Sequence, residues 1–154
     1  MVTAFLFAVV QTLAAASGVD RSVEYTCPGL EDFEIRVVHH VDSGGGTIRS
    51  KGTGGSIAIG IGTMQEELAP RRRPSGFRWY KSERVGAATV TYGLAVDADT
   101  VTNGQHVKRP QLQATILGAP ISSTVNLAAD PNDENTFLKV ARTLATSRCA
   151  SVGK

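Results

Sequence analysis

The sequence predicts an α+β fold: an antiparallel β-sheet of about six to seven strands, meander-like, with a C-terminal α-helix packed on one face and one disulfide as a staple. Three observations predict it. Runs of apolar–polar alternation separated by turn residues fill most of the chain, and 16 of its 154 residues are glycine. Near the end, behind an Asp-Pro start, the apolar period changes from two to that of a helix. The two cysteines, Cys27 and Cys149, stand at opposite ends of the patterned region.

The opening residues set the expected compartment. Residues 1–18 (MVTAFLFAVVQTLAAASG) carry no charged side chain and end in small residues at A-x-A-like spacing. That is the pattern of a secretory signal peptide, too short for a stable membrane anchor, with cleavage expected near Ala16 or Gly18. Residues 19–154 are then a single globular domain of about 136 residues, enough to bury roughly two-thirds of the unfolded surface. The expected location is periplasmic or secreted. In such an oxidising space an even pair of cysteines reads most simply as a disulfide between Cys27 and Cys149. Closing a loop of about 120 residues removes denatured-state entropy on the order of 4–5 kcal/mol in the chain-entropy picture. Free thiols are the competing reading, but Pro28 follows Cys27 and neither cysteine has a histidine within ten residues.

The strands follow in order. In residues 33–41, Phe33, Ile35, Val37, His39 and Val41 share one face and Glu34, Arg36, Val38 and His40 the other. Residues 42–46 (DSGGG) read as a turn and TIRSK as a short strand. A second turn at residues 52–55 (GTGG) leads into SIAIGIG, with Ile57, Ile59 and Ile61 on one side. Residues 64–75 (MQEELAPRRRPS) read as a connecting loop with one helical turn at residues 65–68. GFRWYKSE resumes extended structure. Val90, Tyr92, Leu94 and Val96 then alternate with Thr89, Thr91, Gly93 and Ala95. Residues 103–110 (NGQHVKRP) read as a loop opened by Asn-Gly, and LQATILG and PISSTVNLAA as two further strands. In the helix, Asp130 is the expected cap, Pro131 suits the first position, and Phe137, Val140, Ala141 and Leu144 mark one face.

Charge narrows the partners. Sixteen Lys and Arg against fourteen Asp and Glu leave +2, too balanced to point to nucleic acid or an anionic membrane. No later apolar run reaches spanning length, so no membrane span is expected in the mature chain. No spacing predicts a metal site or a cofactor. His39 and His40 are adjacent on a strand and face opposite ways, so they cannot readily share one metal. His39 reads as a hydrogen-bonded core histidine and His106 as an exposed loop residue. The glycines of KGTGGSIAIGIG lack the Lys-Ser/Thr and the following helix of a phosphate loop. GGSIA at residues 54–58 is a near miss for a nucleophile elbow at Ser56, with Asp97 or Asp99 and then His106 downstream. An elbow requires a helix after the serine, and a strand pattern follows here. No catalytic residue is assigned.

The remaining constellation is Arg71, Arg72 and Arg73, with Phe77, Arg78, Trp79 and Tyr80 after them and Arg84, Lys108 and Arg109 further on. A solvated loop is the plain reading of a charge run, but Arg mixed with aromatic residues is the composition of interface hot spots. These seven residues, 71–73 and 77–80, are the candidate partner-binding surface. The segments EYTCPG and PSGFRWY and the late cysteine together resemble the layout of the small periplasmic C-type lysozyme inhibitors. That family has an early and a late bridged cysteine and a Ser-Gly-x-x-Tyr loop that enters the lysozyme cleft. Here Ser75, Gly76, Phe77 and Arg78 are followed by Trp79, with Tyr80 one residue late. The family's Lys-Gly strand motif is absent, and its layout has no place for the C-terminal helix.

The functional expectation is a small exported, non-enzymatic protein-binding module of inhibitor or immunity-protein type, acting on another envelope or secreted protein through the Arg/aromatic loop. The alternatives are a small envelope hydrolase using Ser56 and His106, or a structural or accessory envelope subunit.

Overall fold

The computed structural model describes residues 20–52, 55–62, 68–70 and 73–152. The expected signal peptide (1–18), the helical turn at 65–67, and Arg71 and Arg72 lie outside the described residues.

The strands are β1 (Arg21–Thr26), β2 (Phe33–His39), β3 (Ser43–Ser50), β4 (Ser56–Gly62), β5 (Phe77–Val85), β6 (Ala88–Thr102), β7 (Gln105–Leu117), β8 (Thr124–Ala129) and β9 (Ala150–Ser151). A 3₁₀ turn, Pro131–Asp133, leads into the helix α1 (Glu134–Thr146). All nine strands form one antiparallel sheet in the order β5-β6-β7-β8-β4-β3-β2-β1-β9. Two four-stranded meanders, β1 to β4 and β5 to β8, therefore meet where β8 pairs with β4. The sheet has nine strands rather than six to seven. The two beyond the expected count, β1 and β9, pair with each other through Tyr25 with Ser151 and Thr26 with Ala150. Both are short and exposed, so neither carries a strong apolar pattern.

Cross-strand register explains the core. Ile35, Ile48 and Ile57 lie side by side on β2, β3 and β4. The next row runs Val37, Gly46, Ile59, Leu127, Ala114, Tyr92 across six strands. Gly46 is glycine by necessity, because a Cβ there would overlap the Arg36 carbonyl. The stretch expected to be a turn, residues 42–46, is therefore mostly strand, with Ser43–Ser50 paired along its length. On the same inner face lies α1, with Phe137, Val140, Ala141 and Leu144 wholly buried. Asp130 accepts from the Asn132 N–H at 3.0 Å and Pro131 opens the 3₁₀ turn, as the helix-start pattern predicts.

The disulfide is present. Cys27, just after β1, joins Cys149, just after α1, across 122 residues with the Cα atoms 4.1 Å apart. Ser147 Oγ donates to the Pro28 carbonyl at 2.9 Å, a second tie at the same place. No helix among the described residues is long and apolar enough to cross a membrane.

Candidate functional site

The outer face of the sheet, away from α1, is unlike the inner one. Register places Ser82, Thr91, Thr115, Asn126 and Gly60 in one row across β5, β6, β7, β8 and β4. Thr91 and Thr115 are each 1% exposed and Asn126 8%. A polar row can be buried only if its groups pair internally. Ser82 Oγ and Thr91 Oγ1 are 2.8 Å apart, and Thr115 Oγ1 donates to Asn126 Oδ1 at 2.6 Å. Residues 68–70 cross this face and are held on it by three bonds. The Leu68 N–H donates to Thr115 Oγ1 (2.9 Å), Tyr80 Oη to the Ala69 carbonyl (2.7 Å) and Ser82 Oγ to the Pro70 carbonyl (3.0 Å). Burial raises the Tyr80 phenol above its ordinary pKa, which keeps it a donor.

Beside this strap lies a groove of about 280 Å³ lined by Ala58, Gly60, Leu68, Gln111, Gln113, Thr115, Asn126 and Ala128, among others. Asn126 Nδ2 is buried there without a hydrogen-bond partner. An unmet buried donor costs about 1–3 kcal/mol, so it calls for an explanation in a well-satisfied sheet.

The second feature is a protruding ribbon. β5 pairs with β6 only as far as Ala95, and β8 with β7 only as far as Leu112. Beyond a register shift between Ala95 and Ala98, β6 and β7 continue alone, from Ala98 opposite Arg109 to Thr102 opposite Gln105. Asn103 and Gly104 close the hairpin with positive φ (52° and 78°), the geometry a two-residue type I′ turn requires. Residues 103–110 are all exposed, and Val101 and Val107 are 65% and 40% exposed. The segment NGQHVKRP, expected to be a loop, is thus the turn and returning strand of an arm. His106 is exposed, as expected, but sits on β7 opposite Val101, with its Nδ1 3.3 Å from Asp99 Oδ1.

Of the seven sequence-predicted residues, the five that are described do not share one face of the sheet. Arg71 and Arg72 are outside the described residues. Arg73 Nη2 donates to the Phe77 carbonyl (2.6 Å) and the Arg78 carbonyl (3.2 Å), so it secures the entry to β5. A bulge between Phe77 and Trp79 turns their side chains to opposite faces. Phe77 and Tyr80 meet edge to face at 5.2 Å over Gly93 on the outer side, where a Cβ would come within 2.7 Å of Phe77. Trp79 points inward against Tyr92, ring centroids 6.2 Å apart. Arg78 is exposed. Register and one hydrogen bond, Val96 N–H to the Gly76 carbonyl at 2.9 Å, put this segment at the root of the arm. Arg73, Arg78, Lys108 and Arg109 therefore gather at one end of the sheet, while Arg84, opposite Thr89, lies at the other.

Ser56 opens β4 opposite Arg49, and no hydrogen bond joins it to His106 among the described residues. His39 is half-buried and shares a 2.7 Å hydrogen bond with Tyr25 Oη. Burial chiefly, and then Arg21 and His40, lower its pKa. Asp20 pairs with His40 at 2.7 Å. At the inner edge, Arg142 Nε donates to Glu83 Oε2 (2.7 Å), which also accepts from Tyr92 Oη. Those bonds, the tyrosine's first and then the arginine's, lower the Glu83 carboxyl. No group of three or more His, Cys, Asp or Glu among the described residues could hold a metal ion.

Compared with known family models, curated proteins and solved structures, the chain matches none. The resemblance of its two short motifs to the C-type lysozyme inhibitors therefore has no family-model match beside it.

Proposed function

We propose that this chain is a small exported, non-enzymatic module that binds another envelope or secreted protein, as inhibitors and immunity proteins do. The observation that carries this reading is the arm formed by residues 98–109. An isolated two-stranded ribbon is marginally stable in water, and this one presents two valines to solvent instead of to a core. A ribbon with free edges and a few apolar side chains suits insertion into, or strand addition to, a partner. The cations at its root, Arg73, Arg78, Lys108 and Arg109, favour an acidic partner surface and would speed the encounter. The Arg/aromatic segment predicted from sequence would serve as the base of this surface, with Arg73 and Arg78 its exposed members among the described residues. The disulfide is compatible with an oxidising, exported location.

The test is capture of a partner from an envelope extract by the oxidised domain, read by mass spectrometry. K108A/R109A and V101S/V107S proteins of unchanged circular dichroism serve as controls. One dominant partner, lost in both controls, is the expected result. Equal capture by the controls, or no partner in repeated trials, overturns the reading. Hydrolysis through the Asp99–His106 pair and Ser56 is the second reading, and Ser56→Ala must then abolish a measurable activity without unfolding the sheet.

A further inference from the structure

We infer that the groove on the outer face binds a compact, uncharged ligand carrying a secondary amide, with Asn126 donating to its carbonyl and Gln113 accepting from its N–H. This site is separate from the arm and goes beyond the protein-binding reading.

The hydrogen-bond inventory of the groove selects that chemistry. Thr115 Oγ1 accepts from the Leu68 N–H and so has one hydrogen to give, which it gives to Asn126 Oδ1. That fixes the Asn126 amide with its oxygen towards Thr115. Its Nδ2, buried and without a partner, is left as the one unmet donor among the described residues of the groove. Gln113 Nε2 donates to Gln111 Oε1 at 3.0 Å, which leaves Gln113 Oε1 an acceptor. Asn126 is opposite Thr115 and Gln113 opposite Ala128, so Asn126 and Gln113 are diagonal neighbours on β8 and β7. Diagonal neighbours on a sheet are roughly 7–8 Å apart, a span that one amide can bridge by accepting from one side and donating to the other.

Shape and charge agree. Ala58, Gly60 and Ala128, small residues of the described lining, leave room for a methyl or methylene group on the amide. Among the described residues that line the groove none is charged, so a carboxylate or ammonium ligand would lose its hydration there without a counter-charge from them. At about 280 Å³ the groove is near the lower end of small-molecule sites, which excludes an extended polymer lying wholly within it. An acetamido sugar and a peptide bond both present this amide, and the experiment separates them.

The test is titration of the ¹⁵N-labelled, oxidised protein with N-acetylglucosamine, with N-acetylalanine methylamide, and with sodium acetate as the charged control. The side-chain NH₂ signals of Asn126 and Gln113 are the readout. Expected is a saturable shift of both signals with at least one amide probe at concentrations up to about 50 mM, the range of a fragment-sized ligand. Saturation by the sugar alone assigns an acetamido sugar, and saturation by the dipeptide mimic alone assigns a peptide amide. Ala58→Leu fills the groove from an exposed position and is expected to weaken binding about tenfold or more with the rest of the spectrum unchanged. Any of four results overturns the inference: no saturable shift with either amide, an equal shift with acetate, full binding by Ala58→Leu, or a slowly exchanging water at Asn126 Nδ2 that no probe displaces.

Discussion

The two faces of this sheet are built from the same strands and solve burial in opposite ways. On the inner face, Val37, Ile59, Leu127 and Tyr92 follow one another across the strands and close against Phe137, Val140 and Leu144 of α1. Dispersion and release of water hold most of it, with the Tyr92–Glu83–Arg142 hydrogen bonds as a directed tie at its edge. On the outer face the neighbouring positions carry Ser82, Thr91, Thr115 and Asn126. Thr91, Thr115 and Asn126 are as buried as much of the core. They are held by directed bonds to each other and to residues 68–70. The inner face closes on wholly buried apolar side chains, whereas the outer one keeps a groove and an unmet donor. Core-like burial of polar groups under a strap thus depends on pairing, and burial of the apolar face mainly on packing.

The sharpest way to break this contrast is a large-to-small change on each face. Phe137→Ala should lower the unfolding free energy by about 3–5 kcal/mol in urea melts, since a wholly buried ring leaves a cavity. A loss below about 1 kcal/mol would mean that α1 is not the keystone of the inner face. The outer face gives a smaller and differently structured effect. Thr115→Val alone strands both Asn126 Oδ1 and the Leu68 N–H and should cost about 1–3 kcal/mol. Adding Asn126→Leu removes the stranded amide and should recover part of that loss, a positive coupling in the double-mutant cycle. Additive losses would show that the row is not a network.

The smallest effect expected is one of pH. His39 is held below its ordinary pKa of 6.5, so the unfolded chain takes up its proton first on acidification. Stability from this residue is full above that value and falls as pH drops below it. Glu83 is likewise held below its usual 4.5, and its contribution is full above that value and lost at lower pH. Melts recorded from pH 7.5 down to pH 3 should show two declines. His39→Gln should remove the upper one and leave the lower, whereas an unchanged profile would sink the assignment.

What could be read from sequence follows the same division. The inner face announced itself, because Ile35, Val37, Val90, Tyr92 and the helix stripe keep their periods. So did the staple. The glycine run at 44–46 did not, since a strand without side chains looks like a turn until its neighbours show that Gly46 has no space for a Cβ. The arm was read as a loop because both its faces are solvated, so no alternation marks Gln105, His106 and Val107 as a strand. Asn103-Gly104 was the available hairpin signal. The outer groove was illegible for another reason. Thr115 and Asn126 look like solvent-facing strand residues until residues 68–70, far away in sequence, are laid over them. The Arg/aromatic segment was legible as composition, but the bulge that sends Trp79 inward and Phe77 outward was not.

The clasp of β1, β9 and the disulfide also fixes how the molecule carries tension. A pull applied at residues 20 and 152 runs along β1 to Cys27 and, from the other side, through β9 to Cys149, and the Cα atoms of these two cysteines are 4.1 Å apart. The covalent bridge takes the load, and the chain between the two cysteines hangs as an unstressed loop. Once the bridge is reduced, the ties between the two ends among the described residues are the Tyr25–Ser151 and Thr26–Ala150 pairs, the Val152 N–H to Glu24 carbonyl bond and the Ser147–Pro28 bond. Full unfolding of the reduced chain would then release roughly 400 Å for the 122 residues that the intact bridge keeps out of the load path. A reductant therefore moves the mechanical limit of this domain from a covalent bond to the hydrogen bonds and packing of its fold.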